Sequence, residues 1–316
     1  MQTLETDSAV LDLHFHIHRY FVNLLGVATS KGSIDLYRLL YATPTEPRLD
    51  YLRTLQLADP SILVLSFTWC KIFAYQLGAT LSNGEVLVVE DEWLEGAKAR
   101  AALPTKSVKV KHELEAWTMA FTPIGLGGYS GGDDMALRHF VVAPGSITSS
   151  SETDLNKSPY TFTWTDKKIH SAGVTAILPL SDEIILTGSY DDYVRVIFAP
   201  CQGRRQVLDE LNLGGGVWRL KLMAQVTDGW QGKDEGSASF LILASCMHAG
   251  TRVIKVRREE NDGWSIMVLG KFEEHNSMNY GSDFQPVETK GRKTIVSTSF
   301  YDKLLCVWHF SDEPMG

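Results

Sequence analysis

The sequence predicts an all-β chain built as a β-propeller of six repeats, and three observations predict it. The first is the stretch from His170 to Phe198, where apolar runs at 174–178, 184–188 and 193–198 are divided by turn chemistry, most clearly Ser189-Tyr190-Asp191-Asp192. Short segments rich in Val, Ile and Tyr suit a pleated surface, and Asp, Ser and Gly suit tight turns, so this reads as an antiparallel meander. The second is recurrence. Aligning on Asp191, with an apolar residue six positions later at Ile197, gives the same pattern at Lys31, Asn83, Asp134, His248 and Asp302, at intervals of 51 to 57 residues. A near-constant period of this size marks a repeat architecture. The third is that His112, His170 and His275 each stand five residues before a strand position, Trp117, Thr175 and Tyr280.

In chain order, Ser8–Phe15 reads as an innermost strand, Val22–Ala28 as the second and Ser33–Leu39 as the third, followed by a Pro-bearing connection at Thr43–Arg48. Blade two takes Tyr51–Glu90. The Ala-rich, charged segment Glu92–Ala102 has the composition of a short helical connector that Pro104 would stop. Blade three spans Ser107–Val142, and Gly145–Ser158 is a loop by composition. Blade four is the stretch from His170, with Tyr160–Thr165 as its outer strand. Blade five runs from Val207 to Val256 with a polar insertion at Thr227–Gly236, and blade six from Ile266 to Phe310. A single domain over residues 1–316 is expected, because closed all-β folds keep chains of this length together.

Composition narrows the function. A net charge of −8, with no basic cluster, argues against nucleic acid or an anionic membrane as the main partner. Neither a signal peptide nor an apolar run long enough to span a membrane is read, and the expected compartment is the cytoplasm. Cys70, Cys201, Cys246 and Cys306 are widely spaced with no CxxC, which favours buried reduced thiols over disulfides or zinc ligands. No cofactor and no metal are expected.

Several motifs invite chemistry. Gly128-Tyr129-Ser130-Gly131-Gly132 fits G-x-S-x-G, yet a nucleophile elbow needs a helix after the serine, and a turn and strand follow here. His14, His16 and His18 could share a strand face and bind metal, but an exposed loop explains them better. The pairs His170/Asp191 and His275/Asp302 have the layout of WD repeats, in which a blade histidine and a turn aspartate form a structural network, although no WD dipeptide survives. They are also the first candidates for a base that activates water. Blade five breaks the pattern, with His248 at the turn position and Leu213 at the histidine position, so His248 is a further proton-transfer candidate. Trp117, Trp218 and Tyr280 fall at or just beyond strand starts, while Asp133, Tyr190 and Tyr301 immediately precede turn positions. In a propeller these share one rim, and aromatic rings with carboxylates hold quaternary ammonium groups. Packing between blades is the competing explanation for the rings.

The motifs HELEAW at His112–Trp117, GGDD at Gly131–Asp134, GSYDD at Gly188–Asp192, GGGVWR at Gly214–Arg219, CMHAG at Cys246–Gly250, HNSMNYG at His275–Gly281 and SFYD at Ser299–Asp302 resemble the WD-repeat diphthine methylesterases of diphthamide biosynthesis. The likeness runs from about Ser8 to Phe310. It implies hydrolysis of the methyl ester of methylated diphthine on elongation factor two, ahead of the ligase that amidates the freed carboxylate, and a substrate bearing a trimethylammonium group. Members of that family look seven-bladed, so it also implies a first blade truncated here, or a ring that closes incompletely. No catalytic residue is carried over. On chemical grounds a His-activated water is expected, with Arg219 a clamp for the substrate. The alternative from another class is a non-catalytic WD-repeat scaffold that docks proteins on its rim.

Overall fold

The computed structural model describes residues 2–41, 46–91, 105–142, 160–228, 230, 236–259, 263–287 and 291–311. The segments expected at 92–102 and 145–158, and most of 229–235, lie outside the described residues. Among those described there are 23 strands and no helix, arranged in six antiparallel sheets. Two compact units divide the chain, Met1–Lys167 and Lys168–Gly316.

The first unit holds three four-stranded sheets. They are β1 (Val10–Phe15), β2 (Leu24–Thr29), β3 (Ser33–Tyr41) and β4 (Pro47–Gln56); then β5 (Val64–Trp69), β6 (Gln76–Leu81), β7 (Glu85–Glu90) and β8 (Thr105–Lys111); then β9 (Ala116–Phe121), β10 (Gly127–Gly132), β11 (Leu137–Val142) and β12 (Tyr160–Asp166). The second unit holds β13 (Val174–Pro179), β14 (Ile184–Ser189), β15 (Tyr193–Phe198) and β16 (Gln206–Asn212); β17 (Arg219–Asp228), β18 (Ser237–Ser245), β19 (Thr251–Glu259) and β20 (Gly263–Phe272); and a three-stranded sheet of β21 (Asn279–Phe284), β22 (Lys293–Ser299) and β23 (Leu305–Phe310). Each sheet is a blade in the propeller sense, and six blades match the six repeats.

The blade boundaries differ from the sequence expectation in one respect. Residues 51–56, 107–111, 160–165, 207–212 and 266–272 were expected to open the following blade, whereas each belongs to the fourth strand of the preceding one. The period of a repeat does not reveal which neighbour an outer strand pairs with. The antiparallel third strand beside it supplies N–H and C=O groups that need partners, and the outer strand pairs with them there.

Strands β2, β6, β10 and β14 are buried at all six of their positions. Alternation is lost because both faces are packed. In the first unit Ile34 and Leu36 of one blade meet Phe67, Trp69 and Leu77 of the next, and Val86 and Val88 meet Met119 and Phe140. In the second unit Leu186, Val194 and Val196 pack on Phe240, Ile242 and Ile254, and Leu243 and Val253 pack on Ile295 and Phe310.

All six predicted turn positions fall in the hairpin between a blade's second and third strands. Each of these hairpins contains a residue in the left-handed region: Gly32, Gly84, Met135, Asp192, Met247 and Lys303. Three of them are tied down by the same brace. The blade histidine places Nε2 2.9 Å from Ser130 Oγ, 2.9 Å from Thr187 Oγ1 and 2.8 Å from Ser297 Oγ, for His112, His170 and His275 respectively. The backbone N–H after each histidine donates to the turn aspartate: Glu113 to Asp134 at 3.0 Å, Ser171 to Asp191 at 3.0 Å and Asn276 to Asp302 at 3.1 Å. In blade three His112 Nδ1 also lies 2.8 Å from Asp134 Oδ1. Ser130, His112 and Asp134 thus have the connectivity of a hydrolytic triad. Ser130, however, is fully buried inside β10 with no elbow, and a Cβ added at Gly132 would lie 2.5 Å from His112 Nδ1. The trio is a structural brace.

Burial alone would raise the Asp134 carboxyl, but the His112 hydrogen bond and the N–H groups of Glu113 and Ala136 outweigh it and hold it well below the usual carboxylate range. A depressed folded-state value adds stability above the unfolded value of about 4, and that stability is lost as pH falls below it. Asp134→Asn should therefore cost about 3 kcal/mol at pH 7, the scale for breaking a buried pair. In urea unfolding the gap between the two proteins should shrink steadily from pH 4 towards pH 2, and a gap independent of pH would contradict this assignment.

Candidate functional site

In the second unit the residues beside the braces form a continuous row of aromatic rings. Tyr190 leads the β14–β15 turn, and its N–H donates to Gly173 O at 3.0 Å. Trp218 precedes β17, with its N–H donating to Ser245 O at 2.8 Å. Tyr280 sits in β21, and Phe300 and Tyr301 form the β22–β23 turn, where Phe300 N–H donates to Met278 O at 3.0 Å and Tyr301 N–H to Ser277 Oγ at 2.9 Å. Centroid separations along the row are 5.8 Å for Tyr190–Trp218, 5.2 Å for Trp218–Tyr280, 6.0 Å for Tyr280–Phe300 and 5.2 Å for Phe300–Tyr301. These are tilted and edge-on contacts of the kind aromatic pairs prefer. Tyr190, Trp218 and Tyr280 are partly buried, whereas Phe300 and Tyr301 are 65% and 72% exposed.

The Arg219 guanidinium carbon lies 4.9 Å from the Trp218 ring centroid, and Arg219 Nη1 donates to Trp218 O at 3.0 Å. Gly216 lets the chain pass close to this turn, since a Cβ there would come within 2.6 Å of Met247 Sδ and 3.3 Å of Tyr190. Met247 therefore sits at the tip of its turn against the chain leading into Trp218. On its other side, the Asn279 N–H donates to Met247 O at 3.0 Å. The turn that carries His248 is thereby wedged beside the starts of β17 and β21, and His248 itself is exposed. Burial first, and then the neighbouring Tyr301, pushes the Tyr280 phenol upward, so it stays neutral.

Of the sequence candidates, the structure brings together Tyr190, Trp218, Arg219, Tyr280 and Tyr301, with His248 in the adjoining turn. Trp117 and Asp133 belong to the first unit, where Trp117 Nε1 donates to Asp133 Oδ1 at 3.1 Å. Sequence reasoning missed Phe300 and Met247, although each directly adjoins a residue it singled out.

The proton-transfer candidates His170/Asp191 and His275/Asp302 lie at two of the braces. His170 and His275 are 3% and 7% exposed and face the second-strand hydroxyls. Both rings are enclosed beside the turns that they brace. Burial lowers His275, opposed by Asp302. Asp191 is committed to Arg195 at 2.9 Å, and Ser299 donates to Asp302. The expectation of an exposed histidine loop is corrected: His16 is buried, with Nε2 2.9 Å from Ala74 O and Nδ1 accepting the His18 N–H at 2.9 Å. Among the described residues no group of three or more His, Cys, Asp or Glu side chains could hold a metal ion. Cys246, next to the row, is buried and its thiol is pushed up to about 12 by desolvation, which removes it as a thiolate nucleophile. Cys201, against expectation, is exposed.

A diphthine methyltransferase of Schizosaccharomyces pombe is 31% identical over 304 residues, which span 95% of this chain and 78% of that protein. The chain belongs to the diphthine methyltransferase family. Its mouse relative of the same name is 30% identical over 292 residues, covering 88% of this chain and 53% of its own length, so the chain spans about half of that protein. The Saccharomyces cerevisiae relative is 26% identical over 351 residues, covering 96% of this chain and 84% of itself. No family model matches the chain. A chain in the crystal structure of the mitotic checkpoint complex aligns with a TM-score of 0.63 at 16% identity, over 98% of this chain and 76% of that one, a likeness that shows the fold alone. No helix among the described residues is long and apolar enough to cross a membrane.

The exposure of the outer rings gives a test that separates a binding surface from packing. Replacing Phe300 and Tyr301 together by Ala should change unfolding free energy by no more than about 1 kcal/mol, since exposed positions cost roughly 0.5 each. A loss of 3 kcal/mol or more in urea melts would make the outer rings part of the core.

Proposed function

We propose that the chain hydrolyses the methyl ester of methylated diphthine on elongation factor two, leaving a free carboxylate for the ligase that amidates it. Water adds to the ester carbonyl, methanol leaves and one proton is released. The observation that carries this reading is the row Tyr190–Trp218–Tyr280–Phe300–Tyr301, which is open to solvent at one end. A trimethylammonium group has no N–H to donate, so it is held by ring faces and diffuse negative charge rather than by hydrogen bonds. Membership of the family supports the substrate class.

In this reading His248 is the base that takes a proton from the attacking water, the role histidine most often fills. Arg219 donates to the oxyanion as the tetrahedral intermediate forms, where fixed charge is most effective. The braces hold the turns that present the rings. Relatives carry the name methyltransferase, and the two chemistries differ in whether the methyl group leaves as methanol or arrives on the substrate.

Methylated elongation factor two incubated with the chain should lose about one methylene mass, with equimolar methanol. Trp218→Leu with Tyr280→Leu should raise KM by about 5- to 1000-fold, from roughly 0.5–2 kcal/mol per ring. His248→Ala should lower kcat by about 100-fold or more at similar KM. An ester analogue with a neutral tert-butyl group should be indifferent to the Leu changes. Wild-type KM in the folded double variant, or a gain of methyl mass, would overturn the reading, and absence of any turnover would favour a docking scaffold.

A further inference from the structure

Blade one contains a cavity of about 380 Å³ that plays no part in the chemistry above. Its walls are strands β3 and β4 and the segment 4–8, which runs alongside them; Gln2 and Leu49 exchange hydrogen bonds at 3.0 and 2.8 Å just beyond. Two tyrosines on neighbouring strands, Tyr37 and Tyr51, meet edge to face at 5.7 Å on its wall. Asp35, Asp7 and Glu5 supply three carboxylates, with Lys31 as the one basic group.

The acceptors are unevenly used. Thr54 Oγ1 donates to Asp35 Oδ1 at 2.6 Å and lies 2.9 Å from Tyr51 OH, which aligns Tyr51, and Asp35 is part of the lining. Asp7 and Glu5 make no hydrogen bond or ion pair among the described residues. Tyr37 is only 8% exposed, yet its hydroxyl has no hydrogen-bond partner there either. Burial first, and then Asp35, Tyr51 and Asp7, push its phenol upward, so it remains a neutral hydroxyl. The Tyr37 side chain lines the same space, and its hydroxyl oxygen is an acceptor that a ligand with N–H groups can engage.

We propose that this cavity is a second binding site, for a guanidinium group carried by an arginine side chain of a partner protein or by a free guanidino compound. A guanidinium presents five N–H donors in one plane and stacks on aromatic faces, so it can engage several carboxylate oxygens and the Tyr37 hydroxyl beside the Tyr51 ring. A quaternary ammonium has no donor and leaves these acceptors empty, which separates this site from the aromatic row. A lysine ammonium has three donors and no plane to stack.

Calorimetric titration of the full chain at low salt with agmatine and with acetyl-Gly-Arg-Gly-amide tests this. Both should bind saturably; tighter binding of the peptide assigns the site to a protein side chain, and tighter binding of agmatine to a free compound. Asp35→Asn, which keeps an acceptor for Thr54, should weaken binding about tenfold or more, the scale of a charge-assisted hydrogen bond. Tyr51→Leu, at a 58% exposed position, should weaken it about threefold. Asp7→Asn on the segment alongside provides a second charge variant should Asp35→Asn melt early. Trp218→Leu should leave binding unchanged, and tetramethylammonium should compete at least tenfold less well than agmatine. No saturable binding, equal competition by tetramethylammonium, or indifference to both charge variants would overturn the assignment.

Discussion

The hydrogen bond from the backbone N–H after a blade histidine to the carboxylate of a turn aspartate is the contact on which the candidate site depends. It fastens the loop leading into a blade's first strand to the hairpin between the second and third. The histidine ring, bonded to a second-strand hydroxyl, fills the space behind it. Asp191 and Asp302 each follow directly on a ring of the aromatic row, so bracing the turn also aims Tyr190 and Tyr301. Backbone bonds from Val217 to Ser189 at 2.9 Å and from Trp218 to Ser245 at 2.8 Å then align the start of β17 with the neighbouring turns. The row is thus set by backbone geometry.

Blade five shows what happens without the brace. Leu213 is buried where a histidine would stand, and the glycines at 214–216 bring the chain close against the turn, where a Cβ at Gly215 would lie 2.5 Å from Cys246 O. The turn is held by Asn279 and by packing on Met247. Its position at the tip is therefore left to an exposed imidazole, His248. A residue released from structure beside a prepared surface is available for chemistry in a way that His170 and His275 are not.

Much of this was legible in the sequence. The period located all six hairpins, and the residues beside the turns and at the strand starts identified four of the five rings. Three things were not legible, each for a physical reason. Spacing pairs His170 with Asp191 and His275 with Asp302 but says nothing of burial, so the enclosure of both rings could not be read from it. An outer strand carries no mark of which neighbour it hydrogen-bonds, so fourth strands were assigned one blade too late. The cavity of blade one joins residues 4–8 to residues 31–56 across the sheet, a juxtaposition that no linear pattern encodes.

The two proposed cation sites differ in what their walls offer: aromatic faces in the second unit, and carboxylates with two tyrosines in the first. The most direct test of this division is the nuclear Overhauser effect from the N-methyl protons of a trimethylammonium-bearing methyl ester to assigned aromatic protons of the intact chain. Cross-peaks to Trp218 and Tyr280, abolished by excess unlabelled substrate, are the expected result. Cross-peaks to Tyr37 and Tyr51 instead, or to no ring at all under saturating ligand, would contradict it.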